Sequence, residues 1–150
     1  MVTSVLFVCM GNICRSPAAE SFFKLILEER KCISAFDVDS AGTGGWHAGA
    51  EPDHRMQIAA TKLGKKIQGA ARQVTSSDLE KFDWILCMDQ SNFDDLISMG
   101  ADPKKTHMLL PFAGHSDCDV PDPYYGGDEG FDNVVTVIND AMYLLLEKLT

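Results

Sequence analysis

Four short apolar runs are spaced along the chain and predict four β-strands. The first run, residues 2–8, is rich in β-branched side chains and ends at a polar turn, which is typical of a strand buried on both faces. Similar runs occupy residues 35–40, 84–88 and 106–110. The apolar pattern therefore predicts a sheet built mostly from buried strands.

Stretches with the polarity and termini of helices lie between these runs. The Ser77 to Glu80 segment is a capping-box pattern that predicts a short helix, and Gly64 and Gly100 mark two helix ends. The repeated alternation of strand and helix predicts a three-layer α/β fold, with a four-stranded parallel sheet covered on both faces, in one domain of residues 1–150. The predicted helices occupy residues 17–28, 54–63, 77–81, 91–99 and 131–149.

Composition narrows the function classes. A chain of 150 residues that is 45% hydrophobic has material for one full core. Its formal net charge of −9, without a basic cluster, argues against binding to nucleic acids or anionic membranes. No apolar stretch reaches membrane-spanning length, and the N-terminal run lacks the flanks of a signal peptide. We therefore expect a cytoplasmic protein without membrane insertion, and a monomer.

The turn after the first strand carries the strongest chemical signal. Cys9 ends the apolar run, Arg15 follows six positions later, and Ser16 with Pro17 provides a cap and a first residue for a helix. Gly11 and Asn12 tolerate left-handed backbone, so the turn can curl on itself. Backbone N–H groups at such a strand-to-helix turn form an anion site, which predicts a phosphate-binding loop after the first strand.

The two reactive side chains of this loop fit that anion. The planar guanidinium of Arg15 suits two phosphate oxygens at once, and the positive surroundings favour Cys9 as a thiolate nucleophile. The Ser16 hydroxyl can cap the helix or donate to the Cys9 sulfur. The bland alternative is a buried cysteine that ends a strand and an arginine on the surface.

A long loop over residues 111–130 is the second candidate region, because loops of this length usually have a function or are disordered. Asp122 lies between Pro121 and Pro123, which restrict its backbone and could hold its carboxyl group over the phosphate site. The residues alone leave other carboxylates of this loop open as rivals: Asp117, Asp119 and Asp128.

The five cysteines and four histidines do not form a known pattern of disulfides or metal ligands. Cys87 lies in an apolar strand and is expected to be a small core residue. Cys118 lies in a polar loop without an interpretation. We predict no metal and no cofactor.

The end motifs resemble one known family. The segment from Cys9 to Pro17, Cys-Met-Gly-Asn-Ile-Cys-Arg-Ser-Pro, together with Asp122-Pro-Tyr-Tyr125, is similar to the low-molecular-weight protein tyrosine phosphatases. The likeness spans the chain, because the segments at residues 39–43, 71–74 and 83–89 also look like that family's strands and turns.

This resemblance implies a phosphatase that hydrolyses phosphotyrosine, and also aryl phosphates, through a cysteinyl-phosphate intermediate. The implied partners are tyrosine-phosphorylated proteins. In that case Cys9 is the nucleophile, Arg15 the phosphate clamp, and Asp122 first the general acid and then the general base. The implied phosphate-binding loop consists of Met10, Gly11, Asn12, Ile13, Cys14, Arg15 and Ser16.

The resemblance also implies a substrate cleft. Trp46, Tyr124 and Tyr125 would flank a phosphotyrosine ring, and Ile13 would form an apolar part of the floor. A related phosphoarginine-phosphatase branch tends to have threonine at the position of Ile13, which favours the tyrosine substrate. One departure is that many relatives have a histidine where this chain has the segment 68–71, so support for the loop must come from elsewhere.

Two alternatives remain beside a phosphatase. A thioredoxin-coupled arsenate reductase shares the fold and loop, but needs further cysteines after the third strand, where Cys87 has no near partner before Cys118. A non-catalytic phosphoprotein-binding module would use the anion site without turnover.

Cys14 lies on the same curled loop as Cys9 and is a candidate resolving thiol for redox control, with simple packing as the alternative.

Overall fold

The computed structural model describes residues 1–123 and 127–150, and within them the four apolar runs form one sheet. Strand β1 (Thr3–Cys9) lies between β2 (Phe36–Gly42) and β3 (Trp84–Cys87), and β4 (Thr106–Met108) pairs with β3 at one edge. Every pairing is parallel. The prediction of a four-stranded parallel sheet is confirmed.

Helices cover both faces of this sheet. In β1, Val5 and Phe7 point into a core shared with the first and last helices, whereas Leu6 and Val8 point into a second core on the opposite face. This alternation explains why residues 5–8 are apolar at every position. The predicted three-layer arrangement is therefore confirmed. The helices are α1 (Arg15–Glu29), α2 (His54–Lys62), α3 (Ser76–Lys81), α4 (Gln90–Ser98), α5 (Leu109–Ala113) and α6 (Gly127–Leu149).

The fourth strand is shorter than the sequence pattern predicts. It ends at Met108, and Leu109 begins the short helix α5, which Gly114 closes with left-handed backbone at φ 82°. Leu109 and Leu110 are buried, and burial of this kind does not distinguish a strand from a helix. The predicted loop over residues 111–130 was therefore too long at both ends, because α5 reaches Ala113 and α6 begins at Gly127.

Two helix caps also differ from those expected. Helix α1 begins at Arg15 with Cys14 as its cap residue, so Ser16 is inside the first turn and its hydroxyl is available for other partners. In α3 the capping box joins Thr75 and Asp78, where the Thr75 hydroxyl accepts from the Asp78 N–H at 3.2 Å. The predicted box from Ser77 to Glu80 was wrong by two residues.

The carboxyl ends of β1, β2 and β3 meet at one edge of the sheet, as in other open parallel sheets that bind ligands there. Cys9 pairs in register with Gly42 at this edge. A Cβ atom on Gly42 would lie 2.7 Å from the carbonyl oxygen of Met10, so only glycine lets the loop after β1 approach β2 this closely.

Candidate active site

The loop after β1 curls around the amino-terminal end of α1. Asn12 adopts left-handed backbone with φ 56°, as its residue type tolerates. Cys14 caps α1 without a side-chain hydrogen bond, and the first turn contains no acidic residue. The unpaired N–H groups and the positive end of the helix dipole are therefore left for an external anion.

Backbone hydrogen bonds fix the path of this loop. Two of them tie its beginning to the segment after β2, and a third ties its far side to the residue before α2. Because the anchors are main-chain groups, the loop keeps its shape without a bound ligand. The bonds are donated by Thr43 N to Cys9 O at 2.9 Å, Gly44 N to Met10 O at 3.0 Å, and Asp53 N to Ile13 O at 2.7 Å.

The Cys9 sulfur is buried in this loop and has two hydrogen-bond partners. The Ser16 Oγ lies 2.9 Å away, and the Asn12 backbone N–H donates to the sulfur at 3.3 Å. Only 3% of Cys9 is exposed. When the sulfur is a thiolate, the Ser16 hydroxyl must be the donor, and both bonds then stabilise the charged form.

Arg15 is held by contacts on one side of its guanidinium. Its Nη1 donates to Asp89 Oδ2 at 2.6 Å and to the Val120 carbonyl at 2.8 Å. The Nε and Nη2 groups donate no hydrogen bond to the part of the chain that the structure describes. With 2% of the residue exposed, this edge is oriented before an anion arrives, which lowers the entropic cost of binding it.

Asp89 is a site residue that the sequence analysis missed. Its Oδ1 accepts from the Asn92 backbone N–H at 2.8 Å and caps α4, while its Oδ2 holds Arg15. The signal was present, since Asp89 follows a buried strand at the carboxyl edge of the sheet and stands three residues before an asparagine.

Asp122 lies across the cleft from the phosphate loop. Its Oδ2 is 3.9 Å from Arg15 Nη2, and 27% of its side chain is exposed. Val120, two residues earlier, donates its N–H to the Met88 carbonyl at 2.8 Å and binds Arg15 through its own carbonyl, which ties the Asp122 segment to the site. Asp117 and Asp119 do not line the cleft, and Asp128 lies in the first turn of α6.

The cleft has a volume of about 260 Å³ and gathers most of the residues that the sequence singled out. Trp46 stands at the rim with 73% of its surface exposed, and its ring occupies the space that a Cβ on Gly44 would need. His47 was not singled out from the sequence. Tyr124 and Tyr125 lie outside the described residues. The lining consists of Cys9, Met10, Gly11, Ile13, Cys14, Arg15, Trp46, His47 and Asp122.

Cys14 also faces the cleft but differs from Cys9 in its surroundings. Burial raises the pKa of the Cys14 thiol, and the nearby Asp53 carboxylate, the Cys9 sulfur and the Asp122 carboxylate raise it further. Cys14 therefore remains a neutral thiol at physiological pH.

Within residues 1–123 and 127–150, no cluster of three or more His, Cys, Asp or Glu side chains could hold a metal ion.

Comparisons with known proteins agree on one family. The family model described as low molecular weight phosphotyrosine protein phosphatase matches residues 4–150. The human low molecular weight phosphotyrosine protein phosphatase is 41% identical over 97% of this chain and 94% of its own. The crystal structure of YfkJ from Bacillus subtilis superposes with a TM-score of 0.92 at 40% identity, covering 99% of this chain and 95% of that one. A protein tyrosine phosphatase from Entamoeba histolytica, crystallised with Hepes in its active site, gives a TM-score of 0.91 at 37% identity, with 98% and 96% covered.

Proposed function

Since this chain belongs to the low molecular weight phosphotyrosine protein phosphatases and is a protein tyrosine phosphatase, we propose that it works through a cysteinyl phosphate on Cys9. The observation that carries this proposal is the position of the Cys9 sulfur. It is buried at the positive end of α1, has two hydrogen-bond partners, and shares one cleft with Arg15 and Asp122.

In the first step, the Cys9 thiolate attacks the phosphorus atom in line with the leaving tyrosine oxygen. Arg15 and the loop N–H groups bind the equatorial oxygens, where they stabilise the charge of the transition state. The leaving phenol has a pKa of about 10, so its oxygen needs a proton as the bond breaks. Asp122 donates that proton, and the products are free tyrosine side chain and phosphorylated Cys9.

In the second step, a water molecule attacks the phosphorus atom of the cysteinyl phosphate. Asp122, ionised since the first step, accepts a proton from that water. The bond between phosphorus and the Cys9 sulfur breaks, and inorganic phosphate leaves. Both protein groups return to their starting forms. No step calls on a metal or a cofactor.

The substrate side of the cleft favours an aromatic phosphate. Ile13 and Met10 give it apolar surface beside the phosphate loop, and the Trp46 ring is held at the rim for contact with a phosphotyrosine ring. The roles proposed for Tyr124 and Tyr125 at the same rim stay predictions.

We also propose that the protein is cytoplasmic. All five cysteines are free thiols, which is the state maintained in a reducing cytoplasm. A helix long and apolar enough to cross a membrane does not occur in the described part of the chain. A monomer and the absence of nucleic-acid binding stay predictions from the sequence, the second from the net charge of −9.

Metal-free turnover separates the three functions that the loop allows. We expect p-nitrophenyl phosphate to be hydrolysed in the presence of EDTA, with many turnovers per enzyme and no reductant consumed. An arsenate reductase would require thioredoxin and oxidise it, and its relay would have to use Cys87, whose pKa burial raises to about 12. A binding module would hold phosphate without releasing p-nitrophenol. Either of those outcomes would contradict the proposal.

We further propose that Cys14 is a resolving thiol for oxidised Cys9. Peroxide oxidises the Cys9 thiolate to a sulfenic acid, and the Cys14 sulfur then attacks the Cys9 sulfur. A disulfide forms and water leaves. The two cysteines share a loop and a cleft, and the raised pKa of Cys14 leaves Cys9 as the first thiol to react.

Peroxide treatment tests this role of Cys14. Wild-type activity is expected to be lost and then restored by dithiothreitol, and a peptide map of the inactive protein should contain a Cys9 to Cys14 link. Cys14→Ser should be active before treatment and recover poorly, because its sulfenic acid has no partner and oxidises further. Cys118→Ser, with an exposed thiol removed, is the control and should recover fully. Equal recovery of all three proteins would leave Cys14 as a packing residue.

A further inference from the structure

An unbroken row of hydrogen bonds runs from the Cys9 sulfur to a carboxylate on the outer side of α1. Ser16 Oγ lies 2.9 Å from Cys9 Sγ and accepts from Asn12 Nδ2 at 2.8 Å. The same Asn12 Nδ2 donates to Ser40 Oγ at 3.0 Å, and Ser40 Oγ donates to Glu20 Oε1 at 2.6 Å. The three middle residues are at most 5% exposed, so solvent hardly competes for these bonds.

The direction of each donor in this row is fixed by its partners. The Asn12 Oδ1 accepts the Arg72 backbone N–H at 3.0 Å, so both hydrogens of Asn12 Nδ2 point to hydroxyl oxygens. An ionised Glu20 can only accept, which commits the one hydroxyl proton of Ser40 to it. Ser40 then presents a lone pair to Asn12.

The same logic orients the hydroxyl at the nucleophile. A thiolate at Cys9 can only accept, and its sulfur lies 2.9 Å from Ser16 Oγ, whereas the Ala41 carbonyl lies at 3.5 Å, so the one proton of Ser16 is donated to Cys9. The row thus ends in two anions, the Glu20 carboxylate and the Cys9 thiolate, with every donor pointing outward from Asn12.

Glu20 also forms an ion pair on its own helix. Its Oε2 pairs with Lys24 Nζ at 2.6 Å, and 15% of its side chain is exposed. A cavity of about 80 Å³ opens beside Glu20, Asn12 and Ser40, and the other carboxylate lining it is Asp39. Asp39 is paired with Arg72 at 3.0 Å, so it does not compete for Lys24.

We propose that Glu20 is a positioning residue for the nucleophile, acting through Ser40, Asn12 and Ser16 to keep a hydroxyl donor on the Cys9 thiolate. This inference rests on the nucleophilic role proposed for Cys9. Without Glu20, the Ser40 hydroxyl can rotate, Asn12 loses a fixed acceptor, and Ser16 is free to turn toward Ala41. The thiolate then loses part of its stabilisation.

The sign of this effect separates it from simple electrostatics. Removing a negative charge near a thiolate favours the thiolate and lowers the pH at which Cys9 ionises. Loss of the row of hydrogen bonds from Glu20 to Cys9, which we call the relay, has the opposite effect and raises that pH. The two accounts of Glu20 therefore predict shifts in opposite directions.

The measurement is the pH dependence of Cys9 alkylation by iodoacetamide, followed by mass spectrometry of the peptide ending at Arg15. It needs no turnover. In Glu20→Ala the midpoint pH should rise by roughly 0.5 unit or more, and in Glu20→Gln, whose neutral oxygen still accepts from Ser40, by less. The kcat/KM for p-nitrophenyl phosphate below the midpoint should fall by about 3-fold or more.

A control variant and a double variant complete the test. Glu28→Gln removes a charge from an exposed side chain on the same helix, outside the relay, and should leave the midpoint unchanged or slightly lower. Ser40→Ala should raise the midpoint, and Glu20→Ala should add nothing further in that background. Glu20→Gln keeps the test valid if Glu20→Ala unfolds, as judged by circular dichroism.

The proposal fails if the Glu20 variants shift the midpoint downward, or if Glu20→Ala has its full effect without the Ser40 hydroxyl. Failure of the nucleophile assignment has a different signature, because phosphatase activity would then survive in Cys9→Ser while the alkylation shifts of the Glu20 variants were still observed.

Discussion

Replacement of Cys9 by serine is expected to abolish phosphotyrosine hydrolysis. A serine hydroxyl at this position does not ionise near neutral pH and is a far weaker nucleophile than the thiolate. The loss should be on the order of 10⁶-fold in kcat, as for removal of other catalytic nucleophiles. Steady-state kinetics with a phosphotyrosine peptide measures it.

Two controls show that only the chemistry is lost in Cys9→Ser. The variant should still bind phosphate or vanadate, because Arg15 and the N–H groups of the loop are retained. Cys118→Ser, which changes an exposed cysteine outside the cleft, should keep wild-type kinetics. Normal turnover by Cys9→Ser would contradict the proposed mechanism.

Removal of the Asp122 carboxyl group should produce the second largest effect. Asp122→Ala is expected to slow phosphotyrosine hydrolysis by about 10²–10⁴-fold, because the phenol then leaves without a proton. In single-turnover phosphorylation, the loss should be much smaller for p-nitrophenyl phosphate, whose leaving group needs little protonation. The difference between the two substrates is the diagnostic quantity.

Asp119→Ala is the matched control for this carboxylate. It changes the same residue type in the same loop, outside the cleft lining, and should leave both substrates little affected. If Asp122→Ala instead reduced the phosphorylation rate by the same factor for both substrates, the general acid would have to be sought among Asp117, Asp119 and Asp128.

The phosphate loop was accessible to sequence analysis because its requirements are local. Residues 3–17 contain all three features: a strand that ends at Cys9, a turn with left-handed Asn12, and the beginning of a helix near Arg15. Local preferences for strand, turn and helix point to the same structure there, and such agreement makes a segment predictable.

The partners of Arg15 were harder to predict because they come from distant segments. Asp89 and the Val120 carbonyl are 74 and 105 residues away in the chain, and one of them is a main-chain group without any residue signature. The same limit applies to the relay through Ser40, 28 residues from Asn12. Such contacts depend on the strand order of the sheet, which propensity alone does not specify.

The errors in local structure have a different origin. Burial of Leu109 and Leu110 is compatible with a strand or a helix, so the apolar pattern extended β4 two residues too far. Ser16 has the residue type of a helix cap, yet its hydroxyl lies against the Cys9 sulfur, and α1 begins at Arg15, two residues before the predicted start. In this loop the chemistry of the site overrides the usual capping preference.

A phosphoryl group on Cys9 is the intermediate on which the proposed mechanism depends, and it can be trapped. Asp122→Ala should be mixed with p-nitrophenyl phosphate and quenched in denaturant within the first turnovers. The first step then survives, whereas the second lacks its base, so the intermediate accumulates. The peptide ending at Arg15 is expected to gain the mass of one phosphoryl group, located by fragmentation on Cys9. A phosphoryl group on Ser16, or p-nitrophenol release with no labelled peptide, would contradict it.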